Sequence, residues 1–341
     1  MKAKEVRGGM GGFSKGPKAM GALMLLGAAF VWGMAFAAQS AASEVVGSFS
    51  FIAGKSTVAC LFMAALIAGR HVAKRRRAAH RSAAATAAPA SDSQPADSAP
   101  RSFFAAHRRV IIGGILCGLV LFAADNCQQF GITAYPPDAA ASGRAGFLTA
   151  TYVVIVALLA RFMGKRIHPA VVVAVFVCLA GMYLLCVPPG QGFGGVYLGD
   201  VVMLLGAVFY ALHIVAVGRF ALEDALWLSC VQFGTSAALS AVVAVVHEGA
   251  APADLLPALL PILYVGIFST GLGYTLQNIG QRTVDEAPAA ILMSLESVFA
   301  ALGGWALLGE QLGGTELVGC ALVFVAVLLA QLPQLKRARS S

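Results

Sequence analysis

Residues 145–167, AGFLTATYVVIVALLARFMGKRI, return in altered form at residues 290–312, AILMSLESVFAALGGWALLGEQL. At a constant offset of 145 residues, alanine, valine and glycine positions coincide, and Thr151 falls opposite Glu296. Weaker matches at offsets between 149 and 178 join the apolar runs that precede these two, in the same order. The chain therefore predicts an internal repeat that covers most of its length.

The composition is typical of a membrane protein. Of the 341 residues, 59% are hydrophobic and 12% are charged, and the mean hydropathy is +0.80. A soluble domain has about 45–50% apolar and about 25% charged residues. Ten apolar runs are close to, or longer than, the ~20 residues that cross a bilayer as a helix. These runs are 19–42, 49–69, 110–133, 142–163, 168–187, 196–219, 226–246, 256–281, 287–308 and 315–333.

Each repeat contains five runs, which is an odd number. The second repeat therefore enters the membrane from the opposite side, with a pseudo-twofold axis in the membrane plane and a shared cavity near its middle. The predicted fold is an all-α integral membrane protein of ten transmembrane helices in two inverted five-helix repeats. The predicted segments are a basic N-terminal arm (1–18), the first repeat (19–187), the second repeat (196–333) and a basic tail (334–341).

Positive charges collect on one side of this topology. The formal net charge is +8, and 22 of the 24 Lys and Arg residues fall on the side of the two termini, the exceptions being Lys55 and Arg144. Since cytoplasmic loops are enriched in Lys and Arg, both termini are predicted to be cytoplasmic, in a multi-pass protein of the cytoplasmic (inner) membrane. The net charge thus reflects topology and contact with the lipid bilayer, and no nucleic-acid partner is expected.

Residues 71–107 form a long polar linker between the second and third runs. The segment is rich in Ala, Ser and Pro, has basic ends and lacks apolar periodicity, so we expect a disordered cytoplasmic loop. We interpret it as a solvated tether; a regulatory or partner-binding segment is the alternative.

Nothing in the sequence indicates a cofactor or a metal site. The seven cysteines lie in apolar runs without a CxxC pair, which is typical of small buried residues rather than of disulfides or zinc ligands. The GKS at 54–56 lacks the upstream glycine of a phosphate loop and lies inside an apolar run. Coupling to ATP is therefore not expected.

Two apolar runs carry unusual numbers of polar side chains. FAADNCQQFGITA (122–134) and GLGYTLQNIGQRT (271–283) occupy corresponding places in the two repeats, with Gln128 opposite Gln277. Because inverted repeats face each other around a shared cavity, these side chains are predicted to line one polar cavity rather than to face lipid.

The repeated stretches resemble a known family. The segments 145–167, 273–283 and 289–312 are similar to the EamA-type branch of the drug/metabolite transporter superfamily, and the resemblance covers nearly all the chain outside the arm and the linker. It implies a ten-helix inverted-repeat transporter, not an enzyme. Members of this family export or exchange small polar metabolites, amino acids and amphipathic toxic compounds.

Glu296 is the first candidate for a functional residue. It lies near the middle of the ninth run, where an ionised side chain costs about 2.5–3.5 kcal/mol on insertion scales and so normally faces a cavity or a partner. We interpret it as a ligand for a substrate ammonium group or as a proton-carrying carboxylate. A hydrogen-bonded packing residue is the alternative.

Asp125 and Lys55 are further intramembrane charges. Asp125, Gln128 and Gln129 share one helical face, so a polar stripe toward the cavity is predicted, with hydration at the outer helix end as the alternative for Asp125. Lys55 is a candidate charge partner that could snorkel to the interface, pair with Asp125 or Glu296, or contact a substrate carboxylate.

The other candidates are aromatic or neutral polar residues. Trp32 and Tyr210 occupy the matching first and sixth runs and could stack on a substrate or pack between helices. The remaining candidates for substrate binding or cavity lining are Thr149, Tyr152, Tyr274 and Gln277 together with Gln128. His213 is expected to be a hydrogen-bonded helix residue.

These observations predict a secondary transporter of a small-molecule substrate that works by alternating access of the two repeats. Export is favoured over uptake by the family resemblance alone. Proton or ion coupling is left open, and nothing in the sequence sets the oligomeric state. The alternatives are an integral membrane enzyme, which predicts a close catalytic constellation such as Asp125 near His213, a channel with a continuous pore, and a sensory or scaffolding membrane protein.

Overall fold

The structure of the protein is a computed structural model. It describes residues 16–43, 45–85, 103–134, 147–186, 197–299, 302 and 313–339. Within these ranges the chain is almost entirely helical and contains no β-strand. The predicted all-α class is therefore confirmed for the part of the chain that the structure describes.

The described residues form ten helices in chain order. They are α1 (Gly16–Ser43), α2 (Ser48–Ala85), α3 (Phe103–Thr133), α4 (Tyr152–Phe162), α5 (Pro169–Cys186), α6 (Leu198–Phe220), α7 (Ala225–Val243), α8 (Pro252–Gly280), α9 (Glu286–Met293) and α10 (Gly314–Arg339). A helical turn at 147–150 precedes α4, and another at 296–299 follows α9.

Within the described ranges, six helical segments are long and apolar enough to cross a membrane. They are Lys18–Ala35, Ser48–Ala78, His107–Thr133, Leu198–Phe220, Ala225–Glu248 and Pro252–Gly280. Shorter apolar helices accompany them at Phe147–Phe162, Pro169–Leu184 and Leu317–Ala330. The chain is thus a multi-pass membrane protein. Because the predicted ninth run is described only to residue 299 and at residue 302, the count of ten spans stays a prediction.

The linker predicted at 71–107 is largely helical where the structure describes it. α2 continues through Ala85 and α3 begins at Phe103, while 86–102 lie outside the described residues. Composition explains the difference, because the AKRRRAAHRSAAA stretch consists mainly of Ala and Arg, which have high helix propensities. A disordered loop over 71–85 and 103–107 was therefore a wrong expectation. α10 likewise runs through Arg339, into the predicted basic tail.

The winding of α8 changes along its length. Its 3₁₀ turns (Pro252–Ala258) lead to α turns (Leu259–Tyr264), then to π turns (Val265–Gly273), and finally to α turns again (Tyr274–Gly280). π turns inside α-helices are frequent at functional sites. The π segment also crosses α2 closely, because a Cβ added at Gly266 would lie 2.8 Å from the Lys55 carbonyl oxygen.

The closest packing joins helices from the two halves of the chain. α5 packs along α10, α2 against α7, α3 against both α6 and α7, and α8 against α1 and α2. Small residues permit this approach, as is typical of membrane bundles. A Cβ added at Gly118 of α3 would lie 2.6 Å from the Gln232 carbonyl oxygen of α7, and one at Gly181 of α5 would lie 2.8 Å from the Gly319 carbonyl oxygen of α10.

Apolar and polar side chains are segregated in the interior. The largest apolar core is formed by α4, α5, α9 and α10 with parts of α1 and α6. Buried polar side chains are concentrated in α2, α3, α7 and α8. A cavity lies where these two regions meet.

Candidate functional site

The cavity is enclosed by side chains from α1, α2, α3, α6 and α8, and from the segments around α4 and α9. Its volume, counted as the space that the centres of water molecules can reach, is about 60 Å³. One water needs at least ~10–15 Å³ of such space, so the cavity has room for a few waters. The lining residues are Trp32, Gln39, Lys55, Asp125, Gln128, Thr149, Tyr152, Tyr210, His213, Ile214, Ser269, Tyr274, Gln277, Met293 and Glu296.

Ten of the residues that the sequence nominated line this one cavity, whereas Gln129, predicted on the same stripe as Asp125 and Gln128, is buried and is not among the lining residues. The nine candidates for substrate binding or cavity lining and the candidate charge partner Lys55 are among its walls. The fold therefore gathers polar side chains that the sequence distributes from Trp32 to Glu296. Their role in binding a substrate stays a prediction.

A buried ion pair joins α2 and α3 at the cavity. Lys55 Nζ lies 2.8 Å from Asp125 Oδ2, and the two residues are 4% and 2% exposed. Lys55 is thus paired inside the bundle rather than snorkelling to an interface, and Asp125 is not hydrated at a helix end. Removing one member of such a pair leaves an uncompensated buried charge, at a cost of about 3–5 kcal/mol.

Two tyrosine hydroxyls complete the surroundings of Asp125. Tyr210 donates to Asp125 Oδ1 over 2.8 Å, and the Tyr274 hydroxyl lies 3.4 Å from the same oxygen. The Tyr210 hydroxyl is also 3.0 Å from Gln128 Oε1. Because a hydroxyl has one proton to donate, Tyr210 serves either Asp125 or Gln128 at a given moment. Gln128 Nε2 in turn lies 3.4 Å from Thr149 Oγ1.

Glu296 carries the other carboxyl group of the cavity. It lies in the cavity wall together with Tyr152. Lys55 is paired with Asp125, and no Lys or Arg within the described ranges lies at salt-bridge distance from Glu296. Glu296 is therefore the cavity carboxyl that is available to a cationic group.

The chain segments that carry Tyr152 and Glu296 are both interrupted at the cavity. Before α4, the Thr151 hydroxyl donates to the Leu148 carbonyl oxygen over 2.6 Å. After α9, the Ser294 hydroxyl donates to the Ile291 carbonyl oxygen over 2.7 Å. Hydroxyl groups that hydrogen-bond a carbonyl of the preceding turn compete with the helix ladder. This accounts for a turn at nearby positions in both segments, because Ser294 aligns with Thr149, two residues before Thr151.

Trp32 is tied to the irregular part of α8. The Tyr274 backbone N–H donates to the Thr270 carbonyl, at the point where π turns give way to α turns. The Ser269 carbonyl oxygen instead accepts a 2.9 Å hydrogen bond from the Trp32 indole N–H. The Trp32 and Tyr274 rings lie 4.9 Å apart. Trp32 thus stabilises the π segment in addition to lining the cavity.

His213 behaves as a buried hydrogen-bonded residue, as the sequence predicts. Its Nε2 lies 3.2 Å from Gln232 Oε1 of α7, and its ring lies 5.5 Å from the Tyr274 ring in an edge-to-face arrangement. Asp125 has a different set of partners, namely Lys55 and two tyrosines. The structure therefore does not couple His213 and Asp125 through a hydrogen bond.

Sequence reasoning missed two polar residues of the cavity, Gln39 and Ser269. Gln39 follows Trp32 by seven residues, two helical turns, so the shared face of α1 was a usable signal. Ser269 had no such signal, because its position depends on π winding that no sequence period reveals.

The end of the bundle that holds most basic residues is closed by ion pairs. Lys165 Nζ lies 2.6 Å from Glu286 Oε2, Arg70 2.6 Å from Asp224, and Arg109 2.9 Å from Glu223. Arg282 also donates to the Glu223 carbonyl oxygen over 2.6 Å. We call these four contacts the basic-end contacts. The three ion pairs each join the first half of the chain to the second.

Asp224 has a structural role in addition to its ion pair. Its carboxylate accepts hydrogen bonds from the Leu226 and Trp227 N–H groups and so caps the start of α7. Partial burial acts to raise the pKa of the Asp224 carboxyl, but the Arg70 guanidinium and these backbone donors outweigh it and hold the pKa below its usual value. The carboxylate is therefore charged at neutral pH.

The opposite end of the bundle is joined by Glu248. Its carboxylate accepts hydrogen bonds from the Phe49 and Ser50 backbone N–H groups, each over 2.9 Å. These are free N–H groups of the first turn of α2, where a negative charge is stabilising. Glu248, at the end of α7, thus fixes the start of α2.

Comparison with known proteins assigns a family. Residues 197–332 match the EamA-like transporter family. An uncharacterized transporter of Archaeoglobus fulgidus is 28% identical over 64% of this chain and 68% of its own length. The permease-like protein YdzE of Bacillus subtilis is 36% identical over 20% of this chain and 86% of its own length. The chain belongs to the EamA-like transporter family.

A solved structure supports the same fold. One crystal structure superposes on this EamA-family chain with a TM-score of 0.70 and a sequence identity of 22%. The superposition covers 95% of this chain and 99% of the other chain. At this level of identity the likeness concerns the fold alone. The EamA family makes this protein a membrane transporter, and the cavity is the place where its polar groups converge.

Proposed function

We propose that this EamA-family protein is a secondary transporter that exports small polar or amphipathic metabolites, such as amino-acid-like compounds or drugs, across the cytoplasmic membrane. Its termini would lie in the cytoplasm. The observation that carries this proposal is the cavity with Glu296, the Lys55–Asp125 pair and four aromatic rings, enclosed by apolar helices.

The charges of the cavity suggest how a substrate is held. Lys55 and Asp125 neutralise each other, so Glu296 supplies the remaining negative charge for a substrate ammonium group. The rings of Trp32 and Tyr274, 4.9 Å apart, offer π faces, and cations are attracted to such faces. Tyr152 lines the same cavity as Glu296 and offers a further hydroxyl group to a polar substrate.

The inverted repeat is supported by how the helices exchange partners. α3 packs on α6 and α7, whereas the corresponding α8 packs on α1 and α2. α4 packs on α6, and the corresponding α9 packs on α1. The interruptions at Thr151 and Ser294, two residues apart in the repeat alignment, point the same way. This pattern is what a twofold axis through the cavity would produce.

The packing also suggests which helices move. The two halves interlock through α2–α7 and α5–α10, so they are poor candidates for two separate rocking bodies. We infer instead two groups related by the repeat, α3 with α4 and α6, and α8 with α1 and α9. These groups would rock about the α2–α7 and α5–α10 pairs in alternating access.

Two of the basic-end contacts join these groups and would form the gate. Lys165 follows α4 and pairs with Glu286 at the start of α9, while Arg282 follows α8 and bonds the Glu223 carbonyl that follows α6. A Cβ added at Gly218 of α6 would lie 2.5 Å from Glu286 Oε1, so glycine lets the two groups close. Lys165 is 44% exposed, so water can solvate its ammonium group when the pair opens, which suits a contact that breaks in every cycle.

The test is metabolite profiling of medium and cytoplasm from cells that express the wild type, Glu296→Gln or Asp285→Asn at matched membrane levels. Asp285 is an exposed carboxylate outside the cavity and serves as the control. We expect the wild type and Asp285→Asn to accumulate a small molecule outside the cell. Glu296→Gln should reduce export by roughly 10- to 100-fold, as the loss of a charge-assisted hydrogen bond implies.

Two results would contradict the proposal at different points. Equal export by Glu296→Gln would remove Glu296 from substrate binding while leaving transport intact. If no compound moves in either direction, in cells or in reconstituted vesicles, the transporter assignment of this cavity fails. A membrane enzyme would instead convert a compound without moving it, and the same profiles would detect the product.

A further inference from the structure

The buried face of α7 carries a polar stripe beside apolar residues such as Leu228 and Phe233. Ser229, Gln232, Ser236 and Ser240 are all fully buried. Their spacing of three, four and four residues places them on one helical face, and eleven residues of helix extend over about 16 Å. A continuous polar stripe inside a membrane bundle is unusual, because polar groups there are costly unless they are partnered.

This stripe meets polar side chains of the neighbouring helices. Ser240 accepts a 3.1 Å hydrogen bond from Asn126 Nδ2 of α3. Ser229 accepts a 2.8 Å hydrogen bond from Asn278 Nδ2 of α8. We call the four α7 residues with Asn126 and Asn278 the α7 seam. Gln232, near its middle, connects the seam to the cavity through His213.

Protein groups alone leave the seam incompletely hydrogen-bonded. Asn126 Oδ1, Gln232 Nε2, Ser236 Oγ and Asn278 Oδ1 are buried and have no hydrogen-bond partner in the described part of the chain. Each such atom costs about 1–3 kcal/mol if it stays unsatisfied. Hydrogen bonds between helices do not fully explain the stripe, because these four atoms have no partner in the described part of the neighbouring helices. These four atoms therefore offer unused hydrogen-bonding capacity along the seam.

The chemistry of the orphaned atoms selects the ligand. Three are oxygens that can accept, and the fourth, Gln232 Nε2, can only donate. A metal cation would suit the oxygens but not an N–H donor, and the seam contains no carboxylate. Water donates and accepts, and buried waters typically make about three hydrogen bonds to such groups.

We propose that the α7 seam binds a file of internal water molecules that meets the cavity at His213 and Gln232. The file would keep the polar groups around the cavity in contact with water while the basic end is closed. Water binding by the seam is independent of any substrate; only the importance of its junction with the cavity rests on the proposed function.

Synchrotron hydroxyl-radical footprinting of the full chain in lipid nanodiscs tests this directly, because radicals formed from bound water oxidise the nearest side chains. Met63 is the reporter: it is 1% exposed, and its Sδ lies 3.3 Å from Thr275 Oγ1, which lies 3.1 Å from Ser229 Oγ. Met182 and Met203 are equally buried, at 0% and 1%, and have no polar contact of this kind among the described residues. We expect Met63 to be oxidised at least five-fold faster than both controls.

Equal oxidation of the three methionines would overturn the proposal. A second measurement uses Ser229→Ala/Asn278→Leu, which removes polar atoms beside Met63. It should lower the Met63 rate to that of Met182, and an unchanged high rate would show that the water lies elsewhere. Both measurements are made without substrate. If the methionine measurements fail but export still depends on Glu296, the water proposal is wrong and the proposed function stands. If Met63 is oxidised faster but export does not depend on Glu296, the water proposal stands and the role of Glu296 does not.

Discussion

The Lys55 ammonium group and the Asp125 carboxylate lie 2.8 Å apart in the interior of the bundle. Both residues line the cavity, and each neutralises the charge of the other. Truncating either one, in Lys55→Met or Asp125→Leu, should lower the free energy of unfolding by about 3–5 kcal/mol, because it leaves one buried charge alone. Thermal unfolding in detergent measures this.

The double variant Lys55→Met/Asp125→Leu supplies the matched control for this pair. It buries no unpaired charge, so it should be more stable than either single variant. A double variant that loses the sum of the two single effects would mean that the residues are not coupled in this way.

Trp32→Phe should destabilise the π segment of α8. The phenylalanine ring keeps most of the apolar contact but cannot donate to the Ser269 carbonyl, and an unsatisfied buried carbonyl costs about 1–3 kcal/mol. Amide exchange in the peptide covering Val265–Gly273 should accelerate accordingly. Trp227→Phe, at the start of α7, is the control. The same acceleration there would indicate a general loss of packing.

Glu286→Gln should loosen the basic end without unfolding the protein. It removes the charge that faces Lys165, and because the Lys165 side chain is 44% exposed, water can solvate the ammonium group that remains. The free energy of unfolding should therefore fall by only about 1 kcal/mol. Hydrogen exchange should nevertheless increase in the connection between α4 and α5. Asp285→Asn alters the adjacent exposed carboxylate and should leave exchange there unchanged. Identical exchange in both variants would exclude this pair as a gate.

The Arg70–Asp224 pair should be insensitive to pH in the neutral range. The pKa of Asp224 is lowered in the folded state, so its contribution is fully present above the ordinary value of about 3.9 and is lost as the pH falls through the lower folded value. The difference in melting temperature between the wild type and Asp224→Asn should therefore stay constant from about pH 8 to about pH 5. A difference that shrinks already near pH 6 would contradict this assignment.

Oxidative cross-linking should distinguish helices that move from helices that stay together. The thiols of Cys60 in α2 and Cys230 in α7 lie 3.9 Å apart, across the pair that we propose as a pivot. Copper phenanthroline, as the oxidant, should join them into a disulfide while transport continues at half the original rate or more. Cross-linking that abolishes transport would place relative motion between α2 and α7.

Much of the site could be predicted from the sequence. A polar side chain inside a membrane costs free energy unless it has a partner, so its presence in an apolar run indicates a cavity or a contact. Asp125, Gln128, Gln277 and Glu296 stand out in apolar runs, and the structure places all four at one cavity. What could not be predicted depends on local winding. The π turns of α8 set the place of Ser269, and no sequence period signals them.

Other features depend on contacts between distant segments. The pairing of Lys165 with Glu286 joins residues that share no motif, and it forms only once α4 and α9 are neighbours. The helical continuation of α2 was missed for a different reason, because high helix propensity in the Ala- and Arg-rich stretch outweighed the lack of apolar periodicity.

The length of α2 has a mechanical consequence. At 38 residues and 1.5 Å per residue, it is about 57 Å long, whereas the hydrocarbon core of a bilayer is ~30 Å thick. Roughly 25 Å of stiff helix therefore extends beyond the hydrocarbon core as a lever arm. A tilt of only about 10° at the Ser48 end would sweep the Ala85 tip through roughly 10 Å. A spin label at that tip would magnify small rearrangements around the cavity into distances that can be measured in the intact membrane.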